Sequence, residues 1–124
     1  DTNDTREAPA IRICRDLLDE GAQLAIFDPK VRVDQIAADL GLAPFSDGVL
    51  CAEGVWQQLD SPLAAATGAD AVLILTEWQQ FAQLDWVGLA AVMRHPAWLF
   101  DTRAIADASQ ARAAGLQVWC VGRG

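Results

Sequence analysis

The sequence predicts an α/β fold: a three-layer sandwich in which a mostly parallel sheet lies between helices. Three observations predict it. Residues 68–78, GADAVLILTEW, hold five consecutive apolar residues from Ala71 to Leu75 with no charge among them, the composition of a strand covered on both faces. Other short apolar runs alternate along the chain with amphipathic helical segments, the pattern of βαβ units with right-handed crossovers. Finally, 124 residues with 52% hydrophobic content and five tryptophans are enough for one domain with a substantial core, and too apolar for disorder.

Taken in order, the first residues, DTNDTRE, are polar and run to Pro9, whose fixed φ suits the first turn of a helix. Ala10, Ile11, Cys14, Leu17 and Leu18 recur at helical spacing with charged residues between them, so a helix is expected over 9–20, stopped by Gly21. Residues 24–27 read as a short strand closing on Asp28 and Pro29, and 33–40 as a second helix ended by Gly41. Residues 41–60 are turn-rich, with a strand expected at 55–58. Ser61 and Pro62 have the N-cap and first-turn chemistry of a short helix reaching Thr67. After the apolar strand at 71–75, residues 79–81 suit a helical turn. Asp85 caps a helix whose buried side is expected to be Val87, Leu89, Ala90, Ala91 and Met93. A strand at 97–100, a helix at 108–114 ended by Gly115, and a strand at 116–121 complete the chain.

Charge excludes several classes of partner. The net charge is −8 and the single lysine is Lys30, whereas nucleic acid and anionic membrane surfaces demand clustered positive charge. The longest apolar runs fall far short of the ~20 residues a membrane span needs, and no targeting segment is visible. Cys14, Cys51 and Cys120 are odd in number, widely spaced and free of any CxxC pair, which points to a cytoplasmic chain with buried thiols rather than a disulfide framework or zinc site. His95, the sole histidine, precedes Pro96 at a turn and is expected on the surface.

A Rossmann-like sheet suggests a nucleotide, yet neither GxGxxG nor a Walker A sequence occurs; Gly122, Arg123 and Gly124 form only a lone GRG. Cys14 falls on the apolar stripe of its helix, Cys51 has no histidine nearby in sequence, and Cys120 lies within a strand, so no catalytic centre emerges. The carboxyl ends of strands are where open α/β sheets bind ligands. Thr76 and Glu77 follow one such end, as ligand contacts or as helix caps. Arg103 follows another, in the sequence FDTR, where its guanidinium suits either a phosphate or a salt bridge with Asp101, Asp107 or Glu77. Arg6, between Asp4 and Glu7, suits a local ion pair.

Five motifs in order resemble the C-terminal domain of the UDP-glucose/GDP-mannose dehydrogenases. DTNDTRE-x-P-A at 1–10 is similar to that family's DTxDxRESPA opening, DLLDEGAQLAIFDPKV to its following helix and strand, ADAVLILTEW with Phe81 to its central segment, FDTR to its FDGR, and RAAGLQVWCVGRG to its close. The opening, FDPKV with Gln35 and Ile36, and TEW most resemble the UDP-glucose 6-dehydrogenases. The resemblance implies an NAD-dependent oxidation of UDP-glucose to UDP-glucuronate by a longer enzyme. There an N-terminal domain binds NAD, a central region mediates dimerisation into a homo-oligomer, and this domain closes over the UDP-sugar. It implies that Arg103 contacts the sugar nucleotide and that Arg6 reaches the NAD.

The departures from the pattern carry expectations of their own. The family's catalytic cysteine, helper lysines and glycine-rich NAD loop are not in this sequence, so the chain by itself is expected to be inactive; a stand-alone nucleotide-sugar-binding or assembly module is the alternative. The strand that ordinarily precedes DTxDxR is also absent, so the sheet is expected either to close by pairing 24–27 with 71–75 or to keep an open groove there. Ala8 stands where the family has serine, removing an N-cap worth ~1 kcal/mol. Thr102 stands where the family has glycine, which matters if that position needs positive φ.

Overall fold

The computed structural model describes residues 9–45, 53–76 and 79–121. They belong to two compact units, Asp1–Asp60 and Ser61–Gly124.

The first unit is built from α1 (Pro9–Asp19), β1 (Gln23–Ile26), α2 (Val33–Leu40) and β2 (Val55–Gln58). Gly21 and Gly41, at φ of +91° and +69°, give the left-handed turns that stop the two helices, as their positions after the apolar stripes predict. β1 and β2 pair in parallel with Gln23 opposite Val55 and Ile26 opposite Gln58. Between β1 and α2 the Asp28 carboxylate accepts hydrogen bonds from the Lys30 and Val31 amides at 2.8 and 2.9 Å, turning the chain. The core gathers on Trp56, fully buried, with Val31, Ile36 and Leu40; Ile11, Cys14, Leu18, Leu24 and Ile26 pack around them. The Trp56 indole donates to the Leu42 carbonyl at 2.9 Å, so its one polar atom is satisfied inside the core.

The second unit runs α3 (Pro62–Ala66), β3 (Ala71–Ile74), a 3₁₀ turn (Gln79–Gln83), α4 (Trp86–Val92), β4 (Trp98–Asp101), α5 (Ala108–Ala113) and β5 (Gln117–Cys120). Each of its α-helices starts on a side-chain cap: Ser61, Asp85 and Asp107 accept from the amides of Ala64, Gly88 and Gln110. Its sheet is all parallel in the order β3-β4-β5, with Ile74 opposite Asp101 and Asp101 opposite Cys120. Alternate residues separate the two faces. Ile74, Leu99, Asp101 and Cys120 are buried on one; Leu73, Trp98 and Trp119 on the other are 37, 36 and 42% exposed, with Trp98 stacked on Phe100.

The α/β class and the parallel pairing match the expectation from sequence, with three corrections. Among the described residues the strands form two parallel sheets, β1-β2 in the first unit and β3-β4-β5 in the second, where the sequence predicted one. The apolar run of β3 is not covered on both faces: Ile74 is its buried residue, and Leu73 on the opposite face is 37% exposed. In α4 the buried residues are Trp86, Leu89 and Ala90, followed by Met93 at the C-cap, while Val87 is 70% exposed and Ala91 is exposed too. No described helix is long and apolar enough to cross a membrane.

Candidate functional site

The carboxyl ends of β3 and β4 lie side by side, because the parallel register closes with Ile74 opposite Asp101. Thr102 donates twice to the Ile74 carbonyl, from its amide at 3.1 Å and its hydroxyl at 2.8 Å. Thr76 and Arg103 therefore leave neighbouring strands at one edge, the place where parallel sheets collect ligands. Arg103 is half-buried there.

Two residues before Arg103 is Asp101, the buried charged residue among the described residues, with no solvent exposure at all. Its Oδ1 accepts from the Arg103 amide at 3.0 Å, and its Oδ2 from the amides of Ile105 and Ala106 at 2.9 and 2.7 Å. A carboxylate removed from water must be hydrogen-bonded, and backbone N–H donors to a charged acceptor are strong ones. Of the three carboxylates offered to the Arg103 guanidinium, Asp101 accepts from the backbone of the loop, Asp107 caps α5, and Glu77 lies outside the described residues. The Asp101 carbonyl accepts from the Val121 amide at 3.0 Å, tying the loop's base to the end of β5.

Reversal of the chain inside this loop falls on Ala104, at φ +56°. Thr102 is not at positive φ, so the glycine of the related motif is not needed here for backbone conformation. The left-handed region costs an L-residue about 1–2 kcal/mol, a cost glycine avoids. Ala104→Gly is therefore expected to raise stability by up to about 1 kcal/mol, less than the full strain because glycine gains freedom in the unfolded chain. Urea denaturation checks it.

Other sequence candidates separate from this edge. Arg6, Cys51, Glu77 and the closing GRG lie outside the described residues. A wide, open depression of about 560 Å³ is lined by Ala82, Ile105, Ala106, Asp107, Ser109, Arg112 and Cys120 among others, but Arg103 is not part of its wall. Arg103 remains the candidate that the sequence offered, at the end of β4 where the loop bonding begins. His95 is exposed and bonds through Nε2 to the Ala90 carbonyl at 2.9 Å, a structural contact at the end of α4.

Cys14 is inert by environment: burial of the thiol pushes its pKa from the ordinary 9.0 up to about 11. At pH 8 its thiolate fraction falls about a hundredfold below that of an exposed cysteine, since each unit is tenfold. Alkylation of Cys14 by iodoacetamide, followed by mass spectrometry, is expected to be slower by about two orders of magnitude than in the urea-unfolded chain. The same shift stabilises the fold fully below pH 9, and that contribution fades as the pH rises through about 11.

Sequence reasoning singled out Arg103 and missed the roles of Asp101 and Thr102. The available signal was Asp101 at a strand end followed by five residues before the next helix cap, the arrangement in which an aspartate folds back on nearby amides.

The all-parallel pairing with intervening helices makes this an α/β, Rossmann-like domain. A family model described as the UDP-glucose/GDP-mannose dehydrogenase family, UDP binding domain, matches residues 1–108, and the chain belongs to that family. It is 38% identical over 140 residues to UDP-glucose 6-dehydrogenase 4 of Oryza sativa subsp. japonica, covering 99% of this chain and 27% of that protein. It is 37% identical over 121 residues to UDP-glucose 6-dehydrogenase of Caenorhabditis elegans, covering 98% and 24%. With UDP-glucose 6-dehydrogenase 1 of Arabidopsis thaliana the identity is 36% over 132 residues, covering 99% and 27%. The chain thus spans about a quarter of the length of the curated relatives it matches.

Proposed function

We propose that residues 1–124 act as the UDP-sugar-binding domain of a UDP-glucose 6-dehydrogenase. The whole enzyme oxidises UDP-glucose to UDP-glucuronate in the cytoplasm, with NAD as hydride acceptor held mainly by an N-terminal domain, and assembles as a homo-oligomer through a central dimerisation domain. The match of the UDP binding domain across residues 1–108 carries this reading. The position of Arg103 at the carboxyl edge of β4 supports its part: a guanidinium there makes bidentate contact with the diphosphate of the sugar nucleotide. Arg6, in the opening motif, is assigned to the NAD on the strength of that motif alone. The domain by itself binds and does not turn over.

Calorimetric titration with UDP-glucose tests the assignment of Arg103. Arg103→Ala is expected to weaken binding at least about tenfold, the scale of one charge-assisted bidentate contact. Unchanged affinity in the folded variant would remove Arg103 from the site. Production of NADH from UDP-glucose by the polypeptide that carries this domain together with an NAD-binding domain tests the activity, and its absence would sink the reading.

A further inference from the structure

The segment 102–106 is held from three directions, and none of the holding contacts serves a neighbouring helix. α5 has its own cap in Asp107, whose Oδ1 accepts from the Gln110 amide at 3.1 Å. Asp101 is therefore free of that duty, and its three amide bonds act on the loop alone. One of them is to the Arg103 amide, which fixes the residue at its own backbone nitrogen. The other two close the far side of the turn, past the left-handed Ala104. Thr102 pins the near side to the end of β3 through two hydrogen bonds to one carbonyl, that of Ile74. A buried carboxylate and a doubly bonded threonine are a costly way to shape an ordinary surface turn, since the charge must be desolvated.

We propose that Asp101 and Thr102 are positioning residues for Arg103: together they set the backbone of 102–106 so that the guanidinium stands at the carboxyl edge of β4, ready for the diphosphate of a UDP-sugar. The proposal rests on the reading of Arg103 as a UDP-sugar contact. Neither residue touches the ligand in this scheme. Thr102 fixes the distance of Arg103 from the end of β3, and Asp101 fixes the direction in which Arg103 leaves the chain. Arg103 itself loses less freedom on binding because its backbone is already set.

The experiment measures UDP affinity of the full-length protein by calorimetry, well below the melting temperature of each variant, for T102V, T102S, D101N, R103A and the double variant T102V/R103A. T102V keeps the size and the backbone bond but loses the hydroxyl; T102S keeps the hydroxyl. R103A is expected to weaken UDP binding about tenfold or more, and T102V and D101N about three- to tenfold, with T102S close to wild type. The double variant is expected to bind no more weakly than R103A, because a residue that acts through Arg103 has nothing left to position. Faster hydrogen exchange at the Arg103, Ile105 and Ala106 amides in D101N would accompany the loss. If R103A weakens binding while folded T102V and D101N bind like wild type, or if the T102V and R103A effects multiply, the positioning role is overturned and the contact role of Arg103 stands. If R103A itself binds UDP like wild type, both fall. Should D101N fail to fold, T102V against T102S decides the matter.

Discussion

Trp56→Ala is expected to cost about 3–5 kcal/mol, the range for removing a large buried aromatic side chain, and to unfold the unit Asp1–Asp60. Trp56 has no exposed surface and is the largest side chain in a cluster that also holds Val31, Ile36 and Leu40. Truncation leaves a cavity that short elements such as the four-residue β1 and β2 cannot collapse to fill, and it orphans the Leu42 carbonyl that now accepts from the indole. Trp56→Phe keeps most of the ring and isolates the polar part, with a loss of about 1–2 kcal/mol expected. Urea unfolding monitored by circular dichroism gives the magnitude, and amide exchange shows where it falls. A loss under about 1 kcal/mol for the alanine variant would mean that Trp56 does not hold this core together.

Asp101→Ala is expected to cost about 3 kcal/mol or more. The carboxylate satisfies the amides of Arg103, Ile105 and Ala106, and a buried donor left without a partner costs about 1–3 kcal/mol. The damage should concentrate in the unit Ser61–Gly124, where Asp101 lies on the covered face of β4 beside Leu99. Substitution at the exposed Asp107 removes one cap bond and is expected to cost only about 1 kcal/mol. The comparison separates a buried carboxylate that organises a loop from an exposed one that starts a helix. Equal losses at the two positions would show that water replaces the carboxylate at the loop amides.

Much of the element order is legible in local chemistry. Glycine after an apolar stripe stops α1 and α2, serine before proline starts α3, and aspartate starts α4 and α5; each depends on contacts within a few residues, which a linear reading captures. The helix Val33–Leu40 and the strand Val55–Gln58 fall where their patterns place them. α4 shows where such reading stops. Its residues are apolar on nearly every face, so periodicity does not select the buried side. Packing selects Trp86, Leu89, Ala90 and Met93, one consistent stripe at i, i+3, i+4 and i+7, and leaves Val87 in solvent. The buried Trp86 indole nitrogen has no hydrogen-bond partner among the described residues, a cost that no pattern announces.

By itself the sequence determined the α/β class, the parallel βαβ order, the acidic charge and the motif that brings Arg103 to the end of a strand, because each of these is a property of neighbours along the chain or of composition. The tertiary structure alone decided that Ile74 is the buried residue of β3, that Ala104 rather than Thr102 takes the left-handed turn, and that the Asp101 carboxylate serves three backbone amides. A side chain's residue type says which bonds it can make. Which donors meet it depends on how strand ends and loops converge in space, and an aspartate next to an arginine looks the same in one dimension whether it pairs with the guanidinium or folds the loop that carries it.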